Sequence, residues 1–128
     1  MHAFFPLLPQ HIVKCDIALQ PGDVKQFMRM ILLSIQECHS NWILHRDIKP
    51  SNFLLGKDGQ LRLADFGLAK IYGSPDRELS HQACTLWYRA PELLFGARSY
   101  GTGADMWSVG CVFAELLARK PFFTVIRA

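Results

Sequence analysis

Three polar side chains in one short stretch, and a fourth beyond it, are of the types that can work together on a phosphate. The stretch His45-Arg46-Asp47-Ile48-Lys49-Pro50-Ser51-Asn52 offers a carboxylate, then an ammonium, then an amide oxygen, and Asp65 supplies a second carboxylate. Phosphoryl transfer needs a carboxylate to orient and deprotonate the attacking hydroxyl, a cation on the γ-phosphate and oxygen ligands for magnesium. Mg²⁺ takes oxygen donors and uses one or two carboxylates together with phosphates. Taken singly these residues say little, since an aspartate in a loop is commonly a turn former and a lysine a solvated charge.

Order adds what the single residues lack. His45-Arg46-Asp47, Lys49 and Asn52 are followed by Asp65-Phe66-Gly67 and then by Ala90-Pro91-Glu92. That succession is the signature set of protein kinases. From about residue 12 to residue 123 the chain resembles the eukaryotic serine/threonine protein kinases, and Lys49-Pro50 is similar to their catalytic loop rather than to that of tyrosine kinases. Trp87-Tyr88-Arg89-Ala90-Pro91-Glu92 is similar to the group of cyclin-dependent and mitogen-activated kinases. Gly73-Ser74-Pro75-Asp76-Arg77 and Glu92-Leu93-Leu94-Phe95-Gly96-Ala97-Arg98 resemble the cyclin-dependent-kinase-activating kinases, the catalytic subunit of the transcription factor TFIIH.

The resemblance implies a role for each matching position. Asp47 is the expected catalytic base and Lys49 the residue on the γ-phosphate of ATP. Asn52 and Asp65 are the expected Mg²⁺ ligands, and Thr85 the threonine that bonds the base and shapes the substrate site. Glu92 is expected to pair with an arginine of a later helix, and Asp105 to anchor the backbone of the catalytic loop. Ser80 stands where the family carries an activating phosphothreonine, with Arg46 and Lys70 as candidate partners for the phosphate; the family more often has Thr at the first position and Arg at Lys70. A phosphate adds nearly two charges and strong acceptor oxygens, and arginine grips it in a bidentate way. Ser74-Pro75 is a second candidate, although Ser-Pro also initiates turns. Implied partners are a cyclin and protein substrates, namely other cyclin-dependent kinases and the RNA polymerase II tail. The implied location is nuclear or cytoplasmic.

The elements that must position these groups can be read from periodicity. Val24, Phe27, Met28, Ile31, Ile35 and Cys38 recur at helical spacing, which predicts an amphipathic helix over residues 24–39. Pro21-Gly22 reads as a turn before it, with Asp23 as N-cap and Gln26 as its capping-box partner. Phe53-Leu54-Leu55 and Leu61 to Ala64 flank Gly56-Lys57-Asp58-Gly59, a hairpin signal. The hairpin can return the chain so that Asp65 faces Asn52. Residues 103–118 form a second predicted helix, apolar nearly all round: Met106, Trp107, Val109, Val112, Phe113, Leu116 and Leu117. Such a helix is normally buried in a larger body, and these 128 residues hold little to cover it. Residues 1–11 read as an irregular lead-in and 70–101 as a long aperiodic segment, of the kind that is functional or disordered.

The expected fold is therefore α+β: a protein kinase-like fold, the mainly helical C-terminal lobe only and incomplete, over residues 12–123, with residues 124–128 unmatched. No G-x-G-x-x-G occurs in the chain, nor a strand lysine of the V-A-I-K type before the first helix. Kinases need both, with a glutamate to pair the lysine, so the isolated chain is expected to be inactive and unstable or molten. A kinase-derived decoy that binds a cyclin or substrate without catalysis is the alternative. A metal-dependent hydrolase could use Asp47, Asn52 and Asp65 but leaves Lys49 and Trp87 to Glu92 unexplained.

Composition fits this reading. Hydrophobic residues make up 50% and charged residues 20%, a globular balance, and the net charge of +3 comes without a basic run. No nucleic-acid footprint follows from it. Cys15, Cys38, Cys84 and Cys111 lack zinc spacing and are expected as free thiols. Nothing approaches a membrane span: the best apolar run, Trp107 to Ala118, is interrupted by Glu115, and Ala3 to Leu8 lacks the features of a signal peptide.

Overall fold

The structure, a computed structural model, describes residues 4–6, 19–72, 86–97 and 101–124. Thr85, Ser80, Ser74, Cys15 and Cys84 lie outside the described residues.

Helix α1 spans Pro21–Ser40. Its apolar stripe behaves as the spacing predicts: Val24, Ile31, Ile35 and Cys38 are buried, with Phe27 and Met28 packed beside them. Its start differs from the expectation. Proline's fixed φ suits the first helical position, where its missing N–H would be unpaired anyway, so Pro21 opens the helix and Gln20 is the N-cap. Asp23 is then the third helical residue and takes a hydrogen bond from the Gln20 N–H at 2.8 Å, the role expected of Gln26 toward Asp23. Beyond the helix Trp42 adopts φ +60°, a left-handed turn that reverses the chain into β2, Ile43–Leu44.

The hairpin forms as its Asp-Gly signal predicts. Strand β3, Phe53–Gly56, pairs antiparallel with β4, Leu61–Leu63, in the register Phe53 opposite Leu63. Gly59 takes φ +73° in the turn, where an L side chain would be strained. The lead-in is not wholly irregular: Phe4–Pro6 forms β1, which adds to the other edge of β3 with Phe4 opposite Gly56. Its three residues are too few to show a period, and a proline is tolerated on an edge strand. Strand β5, Lys70–Ile71, pairs antiparallel with β2.

After the four-residue helix α2, Pro91–Leu94, comes α3, Thr102–Ala118. It ends at Arg119, which takes φ +59° and returns its N–H to the Glu115 carbonyl at 2.8 Å. One face of α3 packs on α1 and buries Val109, Val112 and Leu116 with Ile31, Ile35, Ile48 and Phe53. The opposite face is open: Met106, Trp107, Phe113 and Leu117 are exposed, the last at 60%. The all-round apolar helix is thus half covered, as the shortage of other apolar segments implied. No helix among the described residues is long and apolar enough to cross a membrane.

Candidate active site

The loop between β2 and the 3₁₀ turn Pro50–Asn52 is assembled from short-range contacts. Lys49 Nζ lies 2.7 Å from Asp47 Oδ2. Asn52 donates from Nδ2 to the Asp47 carbonyl at 2.8 Å and to Asp47 Oδ2 at 3.2 Å. One carboxylate oxygen of Asp47 is therefore held by two donors, which fixes the rotation of the group and leaves Oδ1 as the oxygen for a further partner. Asp47 and Asn52 are both buried, and Lys49 is half-buried. A buried carboxylate with an ammonium and an amide on it has the polar partners that burial requires.

The hairpin returns the chain to Asn52 just before Asp65. Register places Phe53 opposite Leu63, and the Ala64 N–H donates to the Asn52 carbonyl at 2.8 Å, so Asp65 follows the residue bonded to Asn52. Asp65 is exposed and adopts φ +62°, with Oδ1 accepting from the Gly67 N–H at 3.3 Å. A non-glycine residue there is uncommon, and aspartate is among the types that tolerate it. Phe66 packs edge-on against the His45 ring at 4.8 Å, and His45 Nε2 bonds the Ala64 carbonyl at 3.0 Å. The stretch after β4 is thereby tied to the catalytic loop on both sides of Asp65.

Asp105 belongs to α3 and meets the start of the same loop. It is 1% exposed, and its Oδ2 accepts from the His45 N–H at 2.9 Å while Oδ1 accepts from the Arg46 N–H at 2.9 Å. Arg46 sits at φ +70°, a conformation that costs a non-glycine residue energy and needs such holding. Lys70 pairs with Leu44 in the small sheet, next to the start of the same loop. Glu92 is exposed and makes no ion pair among the described residues. Between the loop, α2 and α3 lies a cleft lined in part by Arg46, Asp47, Arg89 and Leu93.

Three polar contacts were not legible in the sequence. Tyr88 is buried and donates its O–H to Glu115 Oε2 at 2.6 Å, while Ser108 Oγ donates to the Tyr88 carbonyl at 2.6 Å. These fix the end of the activation segment to α3. Burial raises Glu115 above the ordinary carboxyl range against the opposing Tyr88 hydrogen bond. Burial, then the Glu115 contact, raises Tyr88 strongly. A lone glutamate in an apolar helix was the available signal. The other missed contact is His39 Nε2 to Asp105 Oδ2 at 2.9 Å. Cys38 and Cys111 are free and buried, and burial raises both thiols.

The donor set fits magnesium held partly by phosphate. With Nδ2 of Asn52 committed to Asp47, its Oδ1 is the atom left for a cation, and Asp65 adds a carboxylate. No cluster of three or more His, Cys, Asp or Glu that could hold a metal ion is found among the described residues. A cation at Asn52 and Asp65 would therefore take its remaining ligands from nucleotide phosphates and water, as Mg²⁺ does.

Comparison with known proteins agrees with the geometry. The family described as protein kinase domain matches residues 7–127. Cyclin-dependent kinase D-1 of Arabidopsis thaliana is 58% identical over 107 residues, covering 84% of this chain and 27% of that protein. Cyclin-dependent kinase 7 of Caenorhabditis elegans is 55% identical over 115 residues, 89% of this chain and 35% of that one. A chain from the structure of the CAK complex of Chaetomium thermophilum bound to ATP-gamma-S superposes with a TM-score of 0.84 at 46% identity. The match covers 95% of this chain and 39% of that one. The present chain thus spans about a quarter to about a third of the length of the two curated relatives.

Proposed function

The chain belongs to the protein kinase family, and from that premise we propose that it holds the catalytic centre of a cyclin-dependent serine/threonine kinase, which transfers the γ-phosphoryl of MgATP to protein hydroxyls. Asp47 accepts the proton of the attacking hydroxyl through Oδ1. Lys49, held at 2.7 Å from Asp47 here, moves its ammonium onto the γ-phosphate when nucleotide enters. Asn52 Oδ1 and Asp65 would hold Mg²⁺, which would neutralise charge on the phosphates. Thr85 bonds the base, Glu92 pairs with an arginine outside these residues, and Asp105 keeps the loop in register. A cyclin is the proposed partner, and cyclin-dependent kinases and the RNA polymerase II tail the proposed substrates. The likeness to a chain of the CAK complex bound to ATP-gamma-S supports both the nucleotide and the assembly.

The observation that supports this reading best is the convergence of Lys49 and Asn52 on one oxygen of a buried Asp47. Asp47→Asn in the full-length kinase should lower kcat by roughly 10²–10⁴-fold, the usual contribution of a positioned base, with MgADP affinity within a factor of about two. Ordinary turnover in that variant would end the proposal. Ser80 is the proposed activating phosphosite, with Arg46 and Lys70 as its cations, and Ser80→Ala should lower the activity of the full-length form. Unchanged activity would remove Ser80 from the mechanism.

The 128 residues alone are proposed to be inactive, because no G-x-G-x-x-G and no strand lysine occur among them. ATP-dependent phosphorylation by the isolated chain would refute that. The exposed apolar face of α3 favours a second reading, a decoy that binds a cyclin or substrate without turnover. Cyclin capture by the catalytically silent chain would support it.

A further inference from the structure

Helix α3 carries two charged residues, Asp105 and Glu115, and both are turned inward and buried. No exposed residue of the helix is polar or charged. Its open side is one stripe at helical spacing: Gly103, Met106, Trp107, Gly110, Phe113 and Leu117. The stripe continues past the helix end, where the Phe123 ring stacks on Trp107 at 6.0 Å and Phe122 meets Phe123 edge-on at 4.9 Å. The six large side chains of this surface run from 41% exposed at Trp107 to 63% at Phe122. At about half of the roughly 150–250 Å² that a large aromatic side chain can bury, they leave roughly 600 Å² of apolar surface, the upper end of the largest patch on a typical monomer.

We propose that this face takes a second copy of the same chain, the two α3 helices pairing antiparallel about a twofold axis at Gly110. A twofold contact uses the same patch on both copies, so the patch must complement itself. The stripe does so about Gly110: Trp107 of one copy faces Phe113 of the other, and Leu117 faces Gly103, large on small. A Cβ built at Gly103 or Gly110 meets nothing within 4 Å, so no neighbour inside one copy requires a glycine there. Glycine in mid-helix is unfavourable relative to alanine; at a crossing point it lets two helix backbones approach to the short end of the roughly 8–10 Å range. The net charge of +3 opposes association in general, but none of it stands on this face. Arg119 and Lys120 follow the helix end. Parallel pairing would set four cations together and align the helix dipoles, whereas antiparallel pairing puts the basic ends at opposite ends of the contact. Two such faces bury roughly 1,200 Å², where specific interfaces begin and above the roughly 800 Å² of most lattice contacts. A face without a polar or charged group offers nothing to select an unlike partner, and self-pairing needs only this symmetry. The inference does not depend on kinase activity.

The test is sedimentation velocity of the 128-residue chain from about 1 to about 200 μM, with an apolar dye as second readout. A monomer–dimer equilibrium is expected, with a dissociation constant on the order of 10 μM, as suits an interface at the small end of the range. Dye bound per chain should fall over the same concentrations, since the second copy covers the surface that the dye needs. Gly110→Glu sets two like charges against each other at the axis and should raise the dissociation constant by at least about 100-fold, and Gly110→Lys should do the same. Both should keep the helical circular dichroism, because the position is open on its own chain. Mixed in equal amounts, the two variants should pair within about tenfold of the wild-type affinity, since opposite charges now meet. Three results would each overturn the proposal: a wild-type chain that stays monomeric throughout, a mass that grows without stopping at two copies, or a mixture that pairs no better than either variant alone. A chain that stays monomeric and loses bound dye only when a cyclin is added would assign the face to that partner and overturn it as well. The wild-type measurements need no substitution, so they decide the matter even if the variants fail to fold.

Discussion

Replacing Asp105 by Asn is the sharpest perturbation of this architecture, because it changes charge and hydrogen-bond direction at one buried group without changing its shape. The carboxylate accepts from the backbone N–H of His45 and of Arg46 and from the His39 ring, each at 2.9 Å. An amide has one acceptor atom. Placed at Oδ2 it keeps His45 and His39 but turns an NH₂ toward the Arg46 N–H, donor against donor; placed at Oδ1 it keeps Arg46 and abandons the other two. The first placement loses less. A buried donor left unpaired costs about 1–3 kcal/mol, and the contacts that survive weaken because their acceptor is now neutral. Asp105→Asn should therefore destabilise the full-length kinase by about 2–4 kcal/mol, a large share of a typical domain's stability. Urea denaturation followed by far-ultraviolet circular dichroism would read this as a lower midpoint at unchanged slope, with faster amide exchange at Arg46 than at His45. Asp105→Ala removes all three acceptor contacts and should cost more than Asn. A loss under about 0.5 kcal/mol for Asp105→Asn, the range of an ordinary surface change, would refute the claim that this carboxylate holds the loop.

Two further outcomes follow from other parts of the molecule. Burial raises Glu115 above its usual 4.5, so the native state holds this proton where the unfolded chain has released it. Stability should then fall as pH rises above about 4.5, and Glu115→Gln should flatten that slope in urea titrations on the alkaline side of that value; an unchanged slope would show that Glu115 is not its source. The open face of α3 should make the isolated 128 residues bind anilinonaphthalene sulfonate, as exposed apolar surface does, and Leu117→Glu with Phe113→Glu should cut the fluorescence while shifting stability by less than about 0.5 kcal/mol each. A cooperative thermal transition without dye binding would mean that this face is covered in solution.

What the sequence disclosed depended on the distance between interacting residues. Helix α1 was legible because Val24 through Cys38 repeat on one face, but its start was not, since Pro21-Gly22 is a turn signal in most settings and a helix opening here. The hairpin followed from Asp58-Gly59. The grouping of Asp47, Lys49 and Asn52 was legible because the partners are two and five residues apart. Strand β1 was not, since its partner β3 lies far along the chain. The same holds for His39 with Asp105 and Tyr88 with Glu115, separated by 66 and 27 residues. No local pattern marks such pairs; for Asp105 only the family resemblance did.

That division has a physical consequence for the site. Contacts between near neighbours need little loop closure and can form wherever the local backbone allows, whereas closure cost grows, if slowly, with the length of the loop. Lys49 and Asn52 can thus find Asp47 without help from the rest of the fold. Aiming the group is different: Arg46 is held at φ +70° by an aspartate 59 residues away, which sits where it does only because α3 packs on α1. The chemistry is encoded locally and its orientation at long range. Since half of α3 is apolar and open, weakening that helix would leave the donors of the loop intact and their direction lost, so Asp47 would remain a carboxylate with a lysine beside it and lose the orientation that its proposed role as base requires.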